Sequence, residues 1–220
     1  MPITLDVLPA RTFAAVLFDM DGTLVDSTPA VVRCWARWAD EHHVPATALV
    51  NTHGRPAAEI IADVLPAEQV PAALARIVAL ELADTDGVVP LPGALDALRA
   101  TAPAAIVTSC TRDLALARIA AAGLPAPAVL VTADDVRVGK PDPEPFLLAA
   151  AHLDVAPDRC LVVEDAPAGL AAGRAAGATT LAVAGTHDLP GLVADAHAPD
   201  LSHVHFVRSP TGIRVAPRAC

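Results

Sequence analysis

The chain has 220 residues, 54% hydrophobic and 18% charged, enough for a sizeable core and for one domain with an insertion or two small ones. A formal net charge of -10 argues against a nucleic-acid partner, whose phosphates reward a basic surface. The uncharged run from Ile119 to Ala133 is broken by Gly123, Pro125 and Pro127 and is shorter than the ~20 apolar residues of a membrane span. No basic segment followed by an apolar one opens the chain, so no secretory signal is read there. The expectation is a cytoplasmic protein with neither nucleic acid nor membrane as partner, a monomer or a weak homodimer.

Residues 1 to 12 hold a short β-like run, Ile3 to Leu8, to which no chemistry is assigned. Phe13 to Phe18 is a short apolar run that stops on Asp19 and Asp21, which reads as a buried strand ending in an acidic turn. Residues two apart on a strand point to one side, so both carboxylates are placed at one site. Carboxylates that close repel, which predicts either a metal ion between them or a shared proton. Gly22 lets the chain turn away.

From Thr28 the pattern is helical, with Val31, Val32, Trp35, Trp38 and Ala39 at three- and four-residue spacing. The two Trp read as core of a helical unit. Further helical patterns cover Ala57 to Leu65 and Pro71 to Ala83, beyond the loop Thr52-His53-Gly54-Arg55-Pro56. With no strand signal between about 28 and 86, this segment reads as an all-helical insertion after the first strand. It closes at Asp86 to Gly93, a stretch rich in Gly and Pro as a hinge would be.

After Ala94 strands and helices alternate. Strands are read at Ala104 to Thr108, Ala128 to Thr132, Cys160 to Val163 and Thr179 to Val183. Helices are read at Ala94 to Ala100, Asp113 to Ala122, Pro145 to His152 and Pro167 to Ala176. Repeated βα units mean a parallel sheet with helices on both faces. The fold class is therefore α/β, a Rossmann-like doubly wound core from residues 1–26 and 89–220 with a small helical domain, 27–88, inserted after the first strand. The last 25 or so residues are less regular, with a final strand at Val204 to Val207.

Ligands in such sheets bind where strands stop. The second strand stops at Thr108-Ser109-Cys110-Thr111, hydroxyls leading into a helix N-terminus that can receive an anion. The third is followed by Gly139-Lys140-Pro141-Asp142-Pro143-Glu144-Pro145. Of 15 basic residues 14 are Arg, so Lys140 is the one lysine. A lysine that survives such a bias points to a task for a compact point charge. The fourth strand ends in Glu164-Asp165, acids that suit a hard cation such as Mg²⁺. A metal ion and a few placed cations reconcile an acidic chain with an anionic substrate.

Together, Asp19-Met20-Asp21-Gly22-Thr23-Leu24-Val25-Asp26-Ser27, the Thr108 to Asp113 stretch, the Val138 to Pro145 stretch and Val163 to Gly169 resemble the four signatures of the haloacid dehalogenase-like hydrolases, in order, over residues 13 to 195. Within that superfamily they are similar to the branch of small sugar-phosphate and polyol-phosphate phosphatases, and the helical insertion is similar to that branch's mobile cap. The resemblance implies Asp19 as a nucleophile that becomes phosphorylated and Asp21 as general acid and base. It implies Mg²⁺ held by Asp19, the Asp21 carbonyl, Asp165 and Glu164, the last directly or through water. Ser109 with Thr108 would bind the phosphoryl group, Lys140 would neutralise it, and Ser27, His53, Gly54 and Arg55 would face the substrate, a small phosphorylated sugar or polyol. Asp21 argues against dehalogenation, and a cap without lysine argues against phosphonate cleavage. A β-phosphoglucomutase-like isomerase is the rival, weakened because Gly54-Arg55-Pro56-Ala57-Ala58-Glu59 lacks the mutase cap loop. A non-catalytic sugar-phosphate binder is a third reading, set back because no signature residue is lost. Cys110, beside the hydroxyls, carries an expectation of oxidation sensitivity. Cys34, Cys160 and Cys220 show no metal spacing and read as small hydrophobes or surface thiols.

Overall fold

The computed structural model describes Leu8, residues 11–49 and residues 56–218. The apolar run at Phe13 is not one strand but two. Strand β1 (Thr12–Phe13) belongs to a small antiparallel sheet, the chain breaks step at Ala14, and β2 (Ala15–Phe18) enters the main sheet. A short β3 (Val25–Asp26) leads into helix α1 (Thr28–Glu41), followed by α2 (Ala57–Val64) and α3 (Val70–Ala83). Strand β4 (Val89–Pro90) then pairs antiparallel with β3, so the two crossings between the helices and the rest of the chain are tied together.

Beyond it run α4 (Ala94–Ala100), β5 (Ala104–Val107), α5 (Arg112–Ala121), β6 (Val129–Val131), α6 (Glu144–His152), β7 (Cys160–Glu164), α7 (Pro167–Ala175), β8 (Thr179–Val183) and β9 (Ala196–Ala198). Six strands form one sheet in the order β6-β5-β2-β7-β8-β9, every pair parallel. The order reverses at β2, which sits between β5 and β7 and so sends its C-terminal end into the crevice where such sheets bind ligands.

Alternation along the central strands divides the core in two. Val16 and Phe18 of β2 and Leu161 and Val163 of β7 face α4 and α5, while Ala15, Leu17, Cys160 and Val162 face α6 and α7. The three inserted helices have a core of their own around Trp38, Ile61, Ala73 and Ile77, and the Trp38 indole N–H donates to Ala73 O at 2.9 Å. Trp35 is only half-buried and lines the cavity described below.

The C-terminal segment is more regular than its sequence suggests. It folds into a hairpin, β10 (Val204–Ser209) and β11 (Gly212–Pro217), and β11 pairs with β1, Phe13 opposite Ile213. This sheet lays Phe206, Ile213 and Val215 into the α4/α5 side of the core, with the Phe18 and Phe206 rings edge to face at 6.0 Å. Among the described residues no helix is long and apolar enough to cross a membrane.

Candidate active site

Three strand ends and one loop supply the site. Asp19 follows β2; Thr108, Ser109 and Cys110 follow β5; Glu164 ends β7 and Asp165 follows it. Lys140 arrives from the loop between β6 and α6. A cavity of about 580 Å³ lies between these ends and the inserted helices, lined by Asp19, Asp21, Ser27, Thr108, Ser109, Lys140, Glu164 and Asp165. Eight of the sequence-derived positions thus meet in one place. His53, Gly54 and Arg55 lie outside the described residues.

Lys140 shows why lysine was kept. Its buried ammonium donates to three acceptors, Asp19 Oδ1 at 2.6 Å, Glu164 Oε1 at 2.8 Å and Val107 O at 3.0 Å, so all three protons are used. Three converging acceptors suit a point charge and not a planar fork. Burial pulls its pKa down, but Asp19 and Glu164 outweigh that and hold the amine charged.

The acids are short of positive charge. Asp19, Glu164 and Asp165 are buried and offer carboxylate oxygens that all lie within 4.8 Å of one another. Burial raises Asp19 from 3.8 to about 7 despite Lys140, and raises Asp165 from 3.8 to about 6 with Asp19 adding to it. Glu164 is pushed up for the same reason. Three buried carboxylates against one ammonium leave room for a further cation, and an all-oxygen set suits Mg²⁺. The donor set therefore fits that ion.

Glu164 and Asp165 are held from behind. Glu164 Oε2 accepts the backbone N–H groups of Asp165 and Ala166 at 2.8 and 2.7 Å, so both of its oxygens are engaged. A Cβ on Gly169 would run into that carboxylate, so the glycine at this turn of α7 leaves Glu164 its place. Gly173 also faces the sheet, whereas Gly177 lies past the end of the helix at φ +84°. Asp165 Oδ2 accepts both the N–H and the hydroxyl of Thr186, at 2.7 and 2.6 Å, and a Cβ on Gly22, itself at φ +88°, would meet the same carboxylate.

Asp21 is gripped on the other side of the cavity. Ser27 Oγ donates to its Oδ1 at 2.6 Å, Arg118 Nη1 lies 3.1 Å from the same oxygen, and the Cys110 thiol donates to Oδ2 at 3.1 Å. Burial, followed by the Asp21 charge, pushes the Cys110 pKa well above its usual value, so this sulfur is a neutral donor and not a thiolate. That removes the basis for expecting Cys110 to be oxidation-sensitive. Ser109 is exposed to the cavity, while Thr108 Oγ1 accepts the Cys110 N–H at 3.1 Å and keeps its own proton to donate. The Thr111 hydroxyl, also on the cavity wall, is buried without a hydrogen-bond partner among the described residues.

Three residues of this arrangement escape the sequence reading: Arg118, Thr186 and Glu81, whose Oε1 lies 3.6 Å from Arg118 Nη2 on the same cavity wall. Only Arg118 left a signal, as a charge on the apolar face of α5 between Leu114, Ala115 and Ile119. Thr186 sits in a loop after β8 and has no pattern to mark it.

Residues 13–177 match the family model of the haloacid dehalogenase-like hydrolases. Hexitol phosphatase A of Escherichia coli is 42% identical over 205 residues, covering 89% of this chain and 95% of that protein. Validoxylamine A 7'-phosphate phosphatase of Streptomyces hygroscopicus is 37% identical over 208 residues, covering 88% and 97%. Among solved structures, a hydrolase from Pseudomonas syringae superposes with a TM-score of 0.77 at 27% identity, covering 86% of this chain and 94% of that one.

Proposed function

The chain belongs to the haloacid dehalogenase-like hydrolases, and from that premise we propose that it is a Mg²⁺-dependent phosphatase of a small phosphorylated sugar or polyol, acting through an aspartyl phosphate. The observation that carries the reading is the Lys140 ammonium bridging Asp19 and Glu164 beside Asp165, with Asp21 on the wall of the same cavity. The inserted helices, residues 27–88, serve as a cap that selects the substrate and excludes water when seated. Relatives named hexitol phosphatase A and validoxylamine A 7'-phosphate phosphatase support the substrate class.

In the first step an Asp19 oxygen attacks phosphorus and the bond from phosphorus to the sugar oxygen breaks. Asp21 delivers its proton to that oxygen, and the alcohol leaves. In the second step Asp21 takes a proton from water as the water attacks the same phosphorus, the bond to Asp19 breaks, and phosphate departs. Splitting one displacement into two is the gain of covalent catalysis, and one group serving as acid and then base follows from the symmetry of the steps.

Ser109, Thr108 and the α5 N-terminus donate to phosphoryl oxygens, and Lys140 offsets charge on Asp19 and on the group in transit. Mg²⁺ would be held by Asp19, Asp165 and the Asp21 carbonyl, and would supply charge neutralisation at the phosphoryl oxygens. Glu164 would hold the ion directly or through water, while accepting from Lys140 and from the N–H groups of Asp165 and Ala166. It also fixes Lys140.

The test is phosphate release with Mg²⁺ across hexose, deoxyhexose, pentose, hexitol and glycerol phosphates, with isomerisation of β-glucose 1-phosphate followed in parallel. Release from hexitol or hexose 6-phosphates is expected. Glucose 6-phosphate formed without release would make the protein a mutase, and turnover of neither kind would make it a binding protein.

A further inference from the structure

Arg118 is a core residue of α5 whose guanidinium lies buried between two carboxylates from different parts of the chain. Nη1 is 3.1 Å from Asp21 Oδ1 and Nη2 is 3.6 Å from Glu81 Oε1, and Glu81 belongs to α3 of the inserted helices. Nη1 also donates to the Cys110 sulfur at 3.1 Å. The Trp35 side chain hydrogen-bonds the half-buried Glu81 from the same helical unit.

A buried guanidinium is costly unless its donors are matched, and here the two terminal nitrogens are divided between Asp21 and the inserted helices. The planar fork fixes the angle between those two partners. If α3 moves away, the Glu81 contact at 3.6 Å is the one that opens, and the guanidinium loses the partner that holds its plane. Its grip on Asp21 then loosens.

We propose that Arg118 is a positioning residue that sets the Asp21 carboxylate and makes that setting depend on the seating of the inserted helices through Glu81. Resting on the phosphatase reading above, the proposal deepens it: proton delivery by Asp21 is assembled only when the cap is closed, so a phosphoryl group is not passed to an open site.

The first-turnover release of the leaving group is measured in Arg118→Met, Glu81→Gln and the double variant, with Mg²⁺, on two substrates. One is a hexitol 6-phosphate, whose alkoxide needs a proton; the other is p-nitrophenyl phosphate, whose phenolate does not. General acid catalysis contributes roughly 10²- to 10⁴-fold. Arg118→Met is therefore expected to slow the hexitol phosphate by about 10²-fold or more while the nitrophenyl ester changes only a few-fold. Because the result is a ratio of two substrates on one preparation, it does not depend on the folded fraction. Glu81→Gln should shift the ratio in the same direction by a smaller factor, and should add nothing in the Arg118→Met background. If Arg118→Met does not fold, Arg118→Lys is read instead. A cation that cannot span both acids should keep part of the ratio and be insensitive to Glu81→Gln. Equal loss on both substrates, no loss on either, or independent effects of the two sites would overturn the proposal. A wild-type protein that turns over neither substrate would refute the phosphatase reading itself.

Discussion

Gly169→Ala sets two effects against each other. Alanine is the better helix former, which by itself favours the variant by about 0.5–1 kcal/mol. Against that, the new Cβ would overlap the Glu164 carboxylate and sit 2.7 Å from its Cγ. Glu164 has little freedom to yield, being almost wholly buried and fastened by Lys140 and by the N–H groups of Asp165 and Ala166. Overpacking costs about 1–3 kcal/mol, and each hydrogen bond to the carboxylate that is lost adds about 1.5–3 kcal/mol. The contact wins, for a net loss of about 2–4 kcal/mol. The displaced Glu164 also releases Lys140 from its position against Asp19, so kcat should fall by at least about ten-fold. Urea unfolding followed by tryptophan fluorescence gives the first quantity and steady-state phosphate release the second. A variant as stable as the wild type, with unchanged kcat, would refute the view that Gly169 exists to leave Glu164 its space.

Other consequences can be measured independently. Burial holds Asp19 at about 7 and Asp165 at about 6, above the 3.8 of an ordinary aspartate. The unfolded chain thus loses these protons first as pH rises, and stability without metal should fall between about pH 4 and 7. Asp165 alone accounts for about 3 kcal/mol. Denaturation in chelator at pH 5 and 7.5 checks this, and Mg²⁺ should restore the loss at pH 7.5; equal stability at the two pH values would contradict it. The neutral Cys110 thiol predicts rates unaffected by peroxide, and inactivation reversed by a thiol reductant at that residue would contradict its assignment as a donor. Removing residues 204–217 uncovers the core under Val204, Phe206, Ile213 and Val215. At about 1.5–3 kcal/mol for each side chain the loss approaches the whole stability of a domain. The truncated chain should fail to fold, and a cooperative melt near that of the full chain would show the hairpin to be dispensable.

How much the sequence discloses depends on how local the cause is. The parallel strands and the residues at their ends are legible because burial on both faces leaves uninterrupted apolar runs, and the chemistry stands where those runs stop. Lys140 is legible through composition, as one lysine among 15 basic residues. The hinge pair β3/β4 and the short β9 carry too few residues to show a period of two. The tail reads as irregular because its hairpin is held by a partner at the other end of the chain, with Phe13 opposite Ile213, and long-range pairing leaves no local trace. Arg118 marks itself only as a charge on the apolar face of α5, and its partners are not local: the packing of α3 against α5 brings Glu81 to it, and Asp21 comes from near the start of the chain.

The most direct test of the central claim is rapid acid quenching of the protein with Mg²⁺ and a ³²P-labelled hexitol 6-phosphate, followed by peptide mapping. The account predicts label on the peptide carrying Asp19 in the first turnover, stable to acid and lost to hydroxylamine, and no label in Asp19→Asn. Phosphate release at full rate with Asp19→Asn, or label on any other residue, would contradict it.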